Sequence, residues 1–280
     1  MAVIGIIAEY NPFHLGHAYQ LAQSRRILGA DSPVVAVMSG NFVQRGEAAL
    51  LHKHARAETA VRCGADLVLE LPTAWAAATA EVFARGGVSL LAATGVVTHL
   101  CFGSECGELS QLEHLADCLD GQSYQAELRR FLGAGMTFAA ARQAAARELS
   151  GAAADGLSQP NNNLAVEYLR AIRALGADLT PVTVRRVGAP HDSDETGGFA
   201  SASAIRRRVL TGAPWEHLVP AESAAVLRRE MDAGHAPVSQ AACERMILSR
   251  LRAMGEEDFY AYDGGNEGLY HRFYVAVRRS

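Results

Sequence analysis

Two histidines three residues apart, His14 and His17, enclose Leu15 and Gly16 directly after the apolar run at residues 3–8. A strand that ends in such a turn and opens a helix presents backbone N–H groups and the positive end of a helix dipole, which together receive phosphate. Gly16 lets the backbone approach a ligand closely. Imidazoles at this spacing reach one side of the turn. They can donate hydrogen bonds to phosphate oxygens as negative charge moves onto a leaving pyrophosphate. That chemistry needs donors placed in advance, not a covalent nucleophile. In a chain with 10 His and 26 Gly, chance supplies roughly 0.03 matches to His-x-Gly-His. The placement after the first strand therefore carries more weight than the match. The competing readings are a surface pair and a two-histidine metal site, but no Asp, Glu or Cys stands at an obvious spacing for a third ligand.

The elements that must hold this turn follow from patterning. Residues 3–8, 34–38, 66–71 and 96–102 read as strands, and 17–28 and 54–63 as helices, the second closed by Gly64. Residues 73–93 are Ala-rich and helical, in two pieces around Gly86-Gly87. Strand and helix in alternation predict an α/β fold with a doubly wound, Rossmann-like parallel sheet. Such sheets bind ligands at the carboxyl ends of their strands. Residues 109–149 read as helix and 158–163 as a polar turn. Residues 163–175 form an amphipathic helix striped by Leu164, Tyr168, Ile172 and Leu175. A late strand is expected at 181–187 and a helix at 201–210, capped by Ser201 or Ser203. This divides the chain into a first domain at 1–211 and a mainly helical C-terminal segment at 212–280, with a Gly-rich turn at Asp263-Gly264-Gly265.

A length of 280 residues, 49% hydrophobic and 20% charged, suits one large α/β domain with a smaller appendage. The formal charge of −4 predicts no general affinity for nucleic acid or membrane. A local basic face could still form from Arg206-Arg207-Arg208, Arg228-Arg229 and Arg278-Arg279. The five cysteines form no Cys-x-x-Cys pair, which points to reduced thiols, no zinc site and a cytoplasmic protein. The first apolar run is short, ends at Glu9 and lacks a basic leader, so it reads as a buried strand rather than a signal or membrane span.

The segment Ile4 to His17, containing Glu9-Tyr10-Asn11-Pro12-Phe13-His14, resembles the opening of the bacterial tRNA(Met) cytidine acetate ligase family, within the His-x-Gly-His nucleotidyltransferase superfamily. Further blocks match in order: Met38-Ser39-Gly40-Asn41-Phe42-Val43-Gln44-Arg45-Gly46-Glu47, then Gly64 to Pro72, Cys101-Phe102-Gly103-Ser104-Glu105 and Pro160-Asn161-Asn162. His191-Asp192, Ala200 to Arg206 and Glu267-Gly268-Leu269 complete the set.

The resemblance implies a two-step reaction. Acetate attacks the α-phosphate of ATP to give acetyl-adenylate, and the acetyl group passes to N4 of the wobble cytidine of elongator tRNA(Met). It implies catalytic roles for His14 and His17. It implies ATP contacts from Ile7-Ala8-Glu9-Tyr10-Asn11-Pro12-Phe13-His14-Leu15-Gly16-His17-Ala18-Tyr19-Gln20, Gly103, Asn162, Arg185 and Arg186. Mg²⁺ is expected with the phosphates. Gly103 is expected just past a strand end, where a side chain would block a nucleotide. Arg185 and Arg186 would point to opposite faces of an unbroken strand. Asn162 has a second reading as a helix cap, and Arg206, implied to hold the β and γ phosphates, has one as a surface arginine. Gln44 to Glu47 reads as a substrate loop or an ordinary exposed one. Lys53 is the sole lysine, with a conceivable phosphate role. Family members continue past this point with a Tyr/Arg-rich stretch, so adenylation is expected intact while tRNA docking stays open. The alternatives are an adenylyltransferase for a small metabolite, or a nucleotide- or RNA-binding module without catalysis.

Overall fold

The computed structural model describes residues 1–187, 199–263 and 268–279. His191-Asp192, Gly264, Gly265 and Glu267 lie outside the described residues. In chain order the elements are β1 (Ile4–Ala8), α1 (Leu15–Leu28), β2 (Val34–Ser39), α2 (Lys53–Arg62), β3 (Leu67–Leu71), α3 (Thr73–Ala76), α4 (Ala80–Ala93) and β4 (His99–Ser104). Then follow α5 (Leu109–Asp120), α6 (Gln122–Gly133), α7 (Phe138–Ser150), α8 (Pro160–Leu175), β5 (Thr180–Arg185), α9 (Ala202–Thr211) and α10 (Ala221–Asp232). A second compact unit, residues 238–280, holds α11 (Gln240–Ala253), α12 (Glu256–Asp263) and α13 (Leu269–Arg279).

The strands form one parallel sheet in the order β3-β2-β1-β4-β5. Every residue of β2 is buried, as a near-continuous apolar run covered on both faces requires. The direction of strand order reverses between β1 and β4, so the crevice at their carboxyl ends is where a ligand binds in such a sheet. Alternation along β1 sends Ile4 and Ile6 into a core shared with Leu21 of α1 and Ala60 of α2. Ile7 faces the other way, against Gly87 of α4, in the core built on α4, α5 and α8.

Several expected boundaries move for identifiable reasons. The 73–93 helix is broken after α3, with Thr79 as the next N-cap, rather than at Gly86-Gly87. The two glycines lie inside α4 because a Cβ on Gly86 would come within 2.8 Å of Trp75, and one on Gly87 within 2.6 Å of Ile7. β4 starts later and ends later than expected, because Val96 and Val97 are drawn into a turn by the Thr94 hydroxyl. Gly103 is therefore inside the strand rather than past its end. α8 begins at Pro160, a residue suited to a first turn, so Asn162 lies within the helix and Gln159 takes the cap position. By compactness the chain divides into residues 1–237 and 238–280. Trp215, Val219 and Leu227 share a core with Leu50, Leu51, Ile205 and Val209, which ties residues 212–237 to the sheet unit.

Candidate active site

The histidine turn is locked by its own backbone. His14 is the N-cap of α1, and its Nδ1 accepts from Gly16 N at 3.0 Å. His17 Nδ1 accepts in return from His14 N at 3.2 Å, completing a capping box built from two imidazoles. An Nδ1 that accepts carries no proton, so each neutral ring bears its hydrogen on Nε2. The rings stack at 3.8 Å, and Tyr10 and Phe13 close on His17 with centroids at 4.9 and 5.4 Å. Burial, helped by Arg186, brings His14 down to about 3. Burial, then His14 and Arg186, holds His17 well below its ordinary value. Both are neutral donors at physiological pH, suited to meeting phosphate charge as it develops.

The approach to this turn is rigidly framed. Tyr10 adopts φ 46°, a left-handed conformation that costs a non-glycine residue about 1–2 kcal/mol. The surroundings hold it there. Arg56, at 1% exposure, donates to the carbonyls of Glu9, Tyr10, Ser39 and Gly40 and to the Ser39 hydroxyl. One buried guanidinium thus fastens the ends of β1 and β2, and burial brings it down to about 10. Arg206 Nη1 donates to Asn11 O at 2.9 Å, and Ser223 Oγ to Phe13 O at 2.8 Å. Asn11 Oδ1 accepts from Leu50 N, while its buried Nδ2 has no partner among the described residues.

The other half of the site comes from β4, β5 and α8. A small cavity of about 30 Å³ is lined by His14, Gly16, Tyr19, Gln20, Gly103, Arg185, Arg186, Phe199 and Ser201, among others. β5 ends at Arg185, so the strand is broken where two adjacent arginines would otherwise diverge. Arg186 lies over Gly103, where an added Cβ would meet its Cγ at 3.2 Å, and donates to Asn161 Oδ1 at 3.2 Å. Arg185 packs against Gly107. The absent side chain at Gly103 thus makes room for an arginine. The Glu105 carboxylate occupies the start of α8, accepting from Asn161 N, Asn161 Nδ2 and Asn162 N at 3.1, 2.6 and 2.7 Å. Asn162 Oδ1 accepts from Glu105 N and Cys106 N, so its side chain fixes the loop after β4 instead of capping its helix.

Of the residues that the resemblance implies for ATP, His14, Gly16, Tyr19, Gln20, Gly103, Arg185 and Arg186 meet at this cavity. Tyr10 and Phe13 spend their side chains on the core. Ile7, Ala8 and Ala18 pack in it as well. Asn162 borders a second hollow with Glu105, Cys106 and Gln111. Ser201 caps α9, as expected, by accepting from Ala204 N. Arg206 grips the histidine loop by its backbone, a role that the sequence did not suggest. Lys53 pairs with Glu70 at 2.6 Å. The arginines considered for a basic face are partly engaged: Arg228 with Glu216, Arg229 with Glu58 and Glu230, and Arg278 with Tyr274. Arg56 escaped sequence reasoning entirely. Its one signal was an arginine on the apolar face of a helix, and that becomes informative only once its backbone partners are known.

A parallel sheet whose reversal point receives a helix opened by His-x-Gly-His defines a nucleotidyltransferase, and the family model described as HIGH Nucleotidyl Transferase matches residues 1–280. A tRNA(Met) cytidine acetate ligase of Syntrophomonas wolfei is 43% identical over 99% of this chain and 68% of its own length. Crystal structures of Thermotoga maritima TmcAL, apo in form I and bound with alpha-thio ATP in form II, superpose with TM-scores of 0.92 and 0.89. Each is 38% identical and matches the whole of this chain, which covers 69% and 68% of them respectively. The chain belongs to the tRNA(Met) cytidine acetate ligase family.

Proposed function

We propose that the chain activates acetate by letting it attack the α-phosphate of ATP, and passes the acetyl group of the resulting adenylate to N4 of the wobble cytidine of elongator tRNA(Met). The observation that carries this reading is the locked turn His14–His17, in which His14 borders a cavity together with Gly16 and Arg186, while His17 holds the turn from behind and is not among the cavity's lining residues. The energy of the step then lies in stabilising the departing pyrophosphate, not in a covalent intermediate. Of the remaining implied ATP contacts, the backbone of residues 7–13 leads into the same turn, while Asn162 fixes the loop after β4. The relatives' names support acetate as the acid and tRNA as the acceptor.

Mg²⁺ would travel with the ATP phosphates. Among the described residues there is no group of three or more His, Cys, Asp or Glu side chains fit to hold an ion. No described helix is long and apolar enough to cross a membrane. The relatives' naming of a tRNA substrate supports work in the cytoplasm. ATP–pyrophosphate exchange tests the first step: exchange that depends on acetate and Mg²⁺, without tRNA, is the expected result. Exchange driven by another acid and not by acetate would defeat the reading. Labelled acetate with elongator tRNA(Met), followed by digestion to nucleosides, tests the second step.

A further inference from the structure

Glu9 stands at the carboxyl end of the central strand, and the nucleotide cavity makes no use of its side chain. It follows Ala8, the last residue of β1, and its carboxyl is surrounded by Gln44, Glu47, Arg56 of α2, Arg206 of α9 and Tyr168 of α8. His14, Gly16 and Gly103 line the cavity on the α1 side. The carboxyl thus stands at the carboxyl end of β1, the strand at which the sheet order reverses, five residues ahead of His14. Gln44 N donates to Oε1 at 2.7 Å, and Oε2 has no hydrogen-bond partner among the described residues. Arg56 and Arg206 lie close, but the hydrogen bonds they make go to backbone carbonyls and Ser39, and neither hydrogen-bonds this carboxylate.

The second step of the proposed reaction needs a group of this kind. The exocyclic amine of cytidine gives its lone pair to the ring, so it attacks a carbonyl productively only if a proton leaves it. His14 and His17 cannot take that proton on Nδ1, which backbone N–H groups occupy, and their Nε2 atoms already carry hydrogen. We propose that Glu9 is the general base of acetyl transfer. The N4–carbonyl bond forms and the bond from the acetyl carbon to the phosphate oxygen breaks. That electron pair leaves with AMP, and the proton moves from N4 to the Glu9 carboxylate. The proposal rests on the acetyl-transfer reading above. Burial raises Glu9 above the ordinary carboxylate value, opposed by the Gln44 hydrogen bond, Arg56 and Arg206 and assisted by Glu47, and this strengthens it as a base. Tyr168 of α8 is a further titratable group coupled to it.

Glu9→Gln keeps an oxygen for Gln44 N, and Glu9→Asp keeps the charge. Exchange with acetate and acetyl transfer, to elongator tRNA(Met) and to concentrated cytidine, are measured on each. The expected result for Glu9→Gln is a loss of about 10²–10⁴ in transfer with less than a tenfold loss in exchange. Glu9→Asp should recover part of the loss. The acid limb of the wild-type transfer profile, set by Glu9 against Arg56, Arg206, Glu47 and Tyr168, should vanish in the Gln variant. Equal losses in both steps, or transfer at the wild-type rate, would overturn the assignment. A wild-type chain that forms the adenylate but acetylates neither acceptor would sink the transfer reading, and the role of Glu9 with it.

Discussion

His14 and His17 combine two demands that usually conflict, namely burial and polarity. The capping box satisfies both Nδ1 atoms and leaves both Nε2–H groups for a ligand. His17→Ala should slow acetate-dependent exchange by ~10²–10³, the about 3–4 kcal/mol expected for one lost transition-state donor, with ATP affinity falling less than the rate. An unchanged rate would remove the pair from the mechanism. The same burial links stability to acidity. His14 titrates at about 3 in the folded chain, while an unfolded chain binds that proton near 6.5. The unfolded state therefore gains protons first as pH falls. The contribution is complete above about pH 6.5 and is lost progressively toward pH 3. Urea midpoints should decline over this window, and His14→Asn, which keeps a capping acceptor, should flatten the decline. Identical slopes would mean that His14 titrates freely in the fold.

Helix α4 shows how an element is placed by what its residues lack. Gly87 to Ala should gain about 1 kcal/mol of helix propensity, yet the added methyl meets three Ile7 carbons at 2.6–2.9 Å. Ile7 is β-branched and strand-bound, so it cannot swing away, and overpacking costs about 1–3 kcal/mol. The net expectation is a lower melting temperature for Gly87→Ala, and a rise would show that α4 can slide. The sequence reader sees Gly86-Gly87 and infers a helix break, because the partner that needs the space lies far off in the chain. The elements whose periodicity was plain, β1, β2, α1 and α2, were legible to within about two residues. β4 was not, since its start depends on the Thr94 hydroxyl capturing Val96 and Val97. Of the site, the His-x-Gly-His turn was readable from local spacing. The work of Arg56, Arg206, Glu105 and Asn162 was not, because each binds backbone groups remote in sequence.

At the scale of the chain, the sheet unit extends to Pro237. Everything that braces the histidine turn lies within it, including Arg206 on Asn11 and Ser223 on Phe13. A fragment of residues 1–237 should fold cooperatively and retain exchange. A fragment of 1–211, cut where composition alone suggests a boundary, should expose the core around Leu50, Ile205 and Val209 and lose both the bond to Phe13 and solubility. Circular dichroism melts and exchange on the two fragments check this, and equal behaviour would show α10 to be dispensable.

Lys53 gives the fold a chemical consequence of its own. An acyl adenylate is a mixed anhydride, able to acylate any free amine that it meets, including those of the protein that makes it. Of the 26 lysine and arginine side chains in this sequence all but one are arginines, and guanidinium groups resist acylation. The single lysine sits at the start of α2 with its side-chain nitrogen 2.6 Å from the Glu70 carboxylate, a contact that restrains its approach to a carbonyl. The chain thereby offers its own intermediate a single lysine side chain to acylate. Mass spectrometry after incubation with ATP and acetate, without an acceptor, should find little acetyl on Lys53, and more once Glu70→Gln releases it.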